Sequence, residues 1–200
     1  MVTTRSAPTV RRTAGQLVPG ALAGIAAAAL GLGIAELVAG FLGRTATPVI
    51  AVGEAFIDRV PGWLKDLAVE WFGTADKAVL IAGVLIVVAA LSAGIGVLVT
   101  RRRGAGLLAG AGLGLIAVVA TWTRPDTTTT DLWPAVLGSV ASLIALDYLA
   151  SRARGARIAP PNGDGGHRRA FLRSAGVVAG LAAVSYAAGR WLGARRSSVE

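Results

Sequence analysis

Glu36 is the residue whose chemistry most needs explaining, because it is a carboxylate set inside the apolar run 17–42. An ionisable group at membrane depth is costly and marks an ion, proton or substrate path by default. Two roles are open for it. One is structural, a hydrogen-bonded acid toward the outer boundary within reach of Arg44; the other is a quinone or proton site. Asp147 closes a second apolar run close to Arg152 and Arg154, which predicts a boundary ion pair. The sequence has no cysteine and one histidine, His167. That excludes disulfides, iron–sulfur clusters and thiolate zinc sites within the chain. A haem held by two histidines of one chain is excluded on the same count. Gly31-Leu32-Gly33 and Gly110-Ala111-Gly112 lie in apolar runs with no strand before them, so a nucleotide loop fails its context requirement. No nucleophile–base pair, carboxylate pair or metal cluster assembles. The expectation is therefore no catalytic, cofactor-binding or metal-ligating residue on this chain.

A different kind of signal lies at His167-Arg168-Arg169-Ala170-Phe171-Leu172-Arg173, which runs into the apolar segment 174–189. Two adjacent arginines, a spacer, Phe-Leu and a further cation ahead of a mildly apolar helix resemble a twin-arginine export signal. Such a signal is an address read by a receptor, not an anchor. Its candidate residues here are Arg168, Arg169, Phe171 and Leu172. His167 stands where that pattern has Ser or Thr, and Arg173 where it has Lys. The resemblance implies a folded domain beyond Glu200 that crosses the membrane through the twin-arginine export machinery.

The elements that must position these residues follow from composition. Hydrophobic residues make up 54% of the 200, charged residues 16%, and the mean hydropathy is +0.64. Soluble domains carry about 25% charged residues, and the apolar surplus here is concentrated in long blocks. Crossing the hydrocarbon takes about 20 mostly apolar residues. Five segments reach or approach that length: 17–42, 78–99, 105–122, 132–149 and 171–192. The 27 glycines suit helices packed closely in lipid, and the pair Gly176 and Gly180 predicts a packing face on the last helix. The net charge of +9 does not indicate nucleic acid. Its cations sit in short loops, without aromatic interleaving or a groove-reading fold.

Lys and Arg in short loops stay cytoplasmic. The acid-free block Arg101-Arg102-Arg103 between the second and third segments therefore predicts the N-terminus on the cytoplasmic side and the C-terminus outside; the resemblance to an export signal implies that the membrane is the bacterial cytoplasmic one. This gives a cytoplasmic tail at 1–16 and a four-helix membrane part at 17–150 with an outer loop at 44–77. A cytoplasmic linker at 151–169, a fifth helix at 170–193 and an outer stub at 194–200 complete the layout. In the outer loop Val60, Trp63, Leu64, Leu67 and Trp71 recur at helical spacing. They predict an interfacial amphipathic helix anchored by Trp63 and Trp71, or a docking surface for an outer domain. The expected fold is all-α: a polytopic membrane bundle of five transmembrane helices plus this interfacial helix.

Several stretches in order resemble the membrane-embedded N-terminal part of actinobacterial molybdopterin-dependent oxidoreductases of the sulfite-oxidase-like group. They are Gly33-Ile34-Ala35-Glu36-Leu37-Val38-Ala39, Pro48-Val49-Ile50-Ala51-Val52-Gly53, Pro61-Gly62-Trp63-Leu64-Lys65-Asp66 and Phe72-Gly73-Thr74-Ala75-Asp76-Lys77. Thr123-Arg124-Pro125 and Arg168-Arg169-Ala170-Phe171-Leu172-Arg173 complete the set. In that family five spans precede a large outer domain that holds the molybdenum cofactor through a cysteine thiolate. The resemblance implies a membrane anchor and export module without the catalytic domain. Molybdopterin would belong to an outer domain joined in cis or in trans, and the partners would be the lipid bilayer, the export machinery and a quinone pool. A stand-alone structural or small-molecule-transporting membrane protein is the rival reading. A molybdenum domain encoded downstream or next door separates the two.

Overall fold

The computed structural model describes residues 10–42, 76–124, 127–158 and 166–196. These fold into five long helices: α1 (Val10–Phe41), α2 (Asp76–Arg101), α3 (Arg103–Trp122), α4 (Leu132–Ile158) and α5 (Gly166–Arg196). All five are long and apolar enough to cross a membrane, and there is no strand among the described residues. This is the architecture of a multi-pass membrane protein. The predicted interfacial helix, with Trp63 and Trp71, lies outside the described residues.

The helices run past the predicted boundaries at their polar ends. α1 begins at Val10, so part of the expected tail is helical. α4 continues through Arg152 and Arg154 to Ile158, and α5 starts at Gly166, so 151–158 and 166–169 of the expected linker are helical. Arginine is a good helix former, and an apolar helix already under way propagates into it at small cost. The Arg101–Arg103 loop contracts further still. Arg102 alone breaks the helix, with φ −137° and ψ 89°. Its N–H donates to the Leu98 carbonyl at 2.7 Å and its own carbonyl accepts from Gly106 N–H at 2.9 Å. So tight a reversal forces α2 and α3 together, and a Cβ on Gly106 would strike the Val99 backbone.

At the other end of α3, a single 3₁₀ turn (Thr129–Asp131) leads into α4. Thr128 caps this turn, its N–H donating to Asp131 Oδ2 at 2.8 Å. Pro134 falls in the first turn of α4, where its missing N–H has no helical partner to lose.

α1 is the central helix and packs against α2, α4 and α5. Each contact uses small residues, because helices in lipid gain by close approach rather than by expelling water. Gly20 and Gly24 lie against Gly96, Val97 and Ser92 of α2; Gly31 lies against Gly138 and Ser142 of α4. Gly33 and Gly40 meet Ala182 and Gly189 of α5. The order of these partners makes α2 and α4 antiparallel to α1 and α5 parallel to it. Gly176 and Gly180 face open space instead. The predicted packing pair is therefore displaced on α5 by Ala182 and Gly189, seven residues apart on the face turned to α1.

Candidate functional site

The two ends of the bundle differ: arginines crowd one, and the exposed tryptophans lie at the other. One end carries the Arg102 turn, the last turns of α4 and the first turns of α5. The other carries Trp122, Trp133 and Trp191, all exposed, near the ends of α3, α4 and α5. Trp191 also stacks under the Arg195 guanidinium, 3.7 Å from the ring centroid. Tryptophans at such positions suit the membrane–water boundary. The sequence reading placed this role on Trp63 and Trp71; the described structure adds three further tryptophans whose signal was their position at helix ends.

The basic end is tied together by specific bonds. Arg103 donates through Nε to Asp147 Oδ1 at 2.8 Å and through Nη2 to Oδ2 at 2.7 Å. This is the boundary ion pair expected for Asp147, but it forms with α3 rather than with the nearby arginines of α4. Arg152 lies over the Tyr148 ring at 5.1 Å, and Arg154 donates to the Val99 carbonyl at 3.0 Å. Register turns Arg152 off the Asp147 face, whereas Arg154, two turns further along the same face, uses its guanidinium on that carbonyl and acts on the carboxylate only through its charge. The Arg154 bond satisfies a carbonyl that the α2–α3 reversal would otherwise strand.

The export-motif candidates occupy the first turns of α5. Arg169 is exposed and Leu172 is 49% exposed, whereas Phe171 is only 3% exposed. Phe171 belongs to the apolar cluster that includes Leu149, Ala150 and Ala153 of α4 and Val99 of α2. Arg168 lies within the helix. The motif is thus the docked start of a packed helix: its Phe faces the bundle and its Leu faces away.

Glu36 is buried on α1, 5% exposed, and is not without a partner. Its backbone carbonyl lies where a Cβ on Gly189 would fall, so Glu36 sits on the α1 segment gripped by α5. The motif residues lie at the start of α5 and Glu36 near its far end, so the structure does not bring them together.

A cavity of about 150 Å³ lies among α1, α2, α3 and α4. Its wall is mainly aliphatic, with Ser92, Ser139 and Ser142 as polar members. Glu36 is not part of that wall. Ser92 is 4% exposed and its Oγ has no hydrogen-bond partner. The sequence reading passed over it; its signal was a hydroxyl in a span otherwise free of charge. Among the described residues no three His, Cys, Asp or Glu side chains come together to hold a metal. Compared with family models, curated proteins and solved structures, the chain matches none of them.

Proposed function

We propose that this chain is the membrane anchor and export module of a molybdopterin-dependent oxidoreductase of the sulfite-oxidase-like kind. It would lie in a bacterial cytoplasmic membrane with its N-terminus inside and its C-terminus outside. The observation that carries the reading is the Arg168-Arg169 pair heading an apolar helix that is parallel to α1 and starts at the basic end of the bundle. A receptor on the cytoplasmic side would meet the pair there, and a domain following α5 would emerge on the opposite side. The 200 residues do not fit the cofactor themselves, since they contain no cysteine and one histidine. The molybdenum centre is therefore assigned to an outer domain, joined in cis or supplied in trans. The part of this chain in the chemistry is to hold that domain at the membrane surface.

The test is a folded reporter fused after Glu200. Arg168→Lys with Arg169→Lys keeps the charge and loses the planar guanidinium pair. Export of the folded reporter should fall at least tenfold while membrane insertion persists. Equal delivery by the twin-lysine variant would make the pair a plain cationic flank. One observation favours that second reading, a stand-alone structural membrane protein: Phe171 is committed to the bundle core rather than available to a receptor.

A further inference from the structure

We propose that the cavity among α1–α4 is a binding site for a small apolar molecule that carries one oxygen acceptor, and that Ser92 is the residue that recognises it. Two independent observations meet here. The first is space. A cavity of about 150 Å³ is open among residues such as Ala27, Val88, Leu113 and Leu143. That is roughly the size of an engineered apolar cavity that stays dry and takes up benzene. It also reaches the outside of the bundle, because Leu85 of α2 and Ile116 of α3 both line it and are both exposed. A ligand dissolved in the bilayer therefore has a lateral way in.

The second observation is a donor without an acceptor. Ser92 forms part of the cavity wall, is buried, and its Oγ has no partner. Buried hydroxyls are normally bonded, and an unmet one calls for an explanation. Of the other two hydroxyls on the wall, Ser139 Oγ lies 3.5 Å from the Gly114 carbonyl and Ser142 is only half-buried, so Ser92 is the buried one left unmet. On the other side of Ser92, Gly24 presses its backbone against the Ser92 carbonyl. A ligand carbonyl or ether oxygen entering from the cavity satisfies Ser92 after a turn about its side-chain bond. A lipid acyl chain fills the space and offers the hydroxyl no acceptor. The lining thus selects a single ring with one oxygen substituent over plain hydrocarbon.

Acetophenone, isotopically labelled at its carbonyl, is a suitable probe for the full chain in lipid nanodiscs, with infrared detection. Saturable binding above lipid partition is expected, with a hydrogen-bonded carbonyl band at lowered frequency. Ser92→Ala should remove that band and weaken binding about fivefold, the usual scale for one neutral hydrogen bond. Val88→Phe, one helical turn away on the same face of α2, should fill the space and abolish saturable binding. Toluene, with the same ring and no oxygen, should bind parent and Ser92→Ala alike. Absence of saturable binding to the parent overturns the proposal. So does a carbonyl band unaffected by Ser92→Ala, which would mean the cavity takes apolar chains without regard to oxygen.

Discussion

Single glycines decide how closely these helices approach, and the effect is specific to position. Gly24 presses against the Ser92 backbone and Gly96 against Gly20 and Gly24, with no flexible side chain to yield. Overpacking of this kind costs about 1–3 kcal/mol. Gly24→Ala should therefore lower the midpoint of unfolding in mixed detergent micelles. Gly180 meets nothing within 4 Å, so Gly180→Ala should be neutral or stabilising by up to about 1 kcal/mol, the helix-propensity difference. If the two variants unfold alike, the assigned α1–α2 contact is wrong. The Arg103–Asp147 pair is a weaker link despite its two-point geometry. Its side chains are 64% and 34% exposed, and exposed pairs contribute at most about 1 kcal/mol. A double-mutant cycle of Arg103→Ala with Asp147→Ala should give a coupling below that value, shrinking further with salt. A larger, salt-insensitive coupling would mean that the pair is shielded from solvent.

At the scale of elements, the five helices were legible because hydropathy reports burial in lipid directly. Their faces were not. An apolar helix in a bilayer is apolar all round, so periodicity cannot tell a packing face from a lipid face. For that reason Gly176 and Gly180 read as a contact, whereas Ala182 and Gly189 make it. Asp147 was legible as half of a boundary pair, but its partner depended on the one-residue reversal at Arg102, which the sequence does not announce. Ser92 escaped notice because one serine in a long apolar run becomes informative only when its surroundings are known. The Arg168–Leu172 string was legible as residues, while the burial of Phe171 depends on how α5 docks on α4 and α1. That docking rests on Gly189 against the Glu36–Leu37 backbone. Gly189→Leu should loosen α5 and speed tryptic cleavage after Arg169 and Arg173 in nanodiscs several-fold. Unchanged cleavage would show that the hold on α5 lies elsewhere, at the Phe171 cluster.

For the whole molecule, the arginine-rich turn at one end and the exposed tryptophans at the other give two planes. Arg103 and Trp122 bound α3, which has 20 residues. At a rise of about 1.5 Å per residue that length matches a hydrocarbon core of about 30 Å. The exposed Leu108, Leu115, Ile116 and Val119 lie between those planes and suit contact with lipid. Cations in short loops remain on the cytoplasmic side, and the Arg102 turn with its flanking arginines is the densest such group on the chain. Because α5 runs parallel to α1, fixing the side of that turn fixes both termini of the bundle. Reporter fusions at Gly104 and after Glu200 should therefore give opposite signals, cytoplasmic for the first and outer for the second. The same signal from both would break the five-span count, since an odd number of crossings separates Gly104 from the end of α5. Opposite signals with the outer one at Gly104 would invert the bundle. That result would leave the arginine pair at Arg168 and Arg169 beyond the reach of a cytoplasmic receptor.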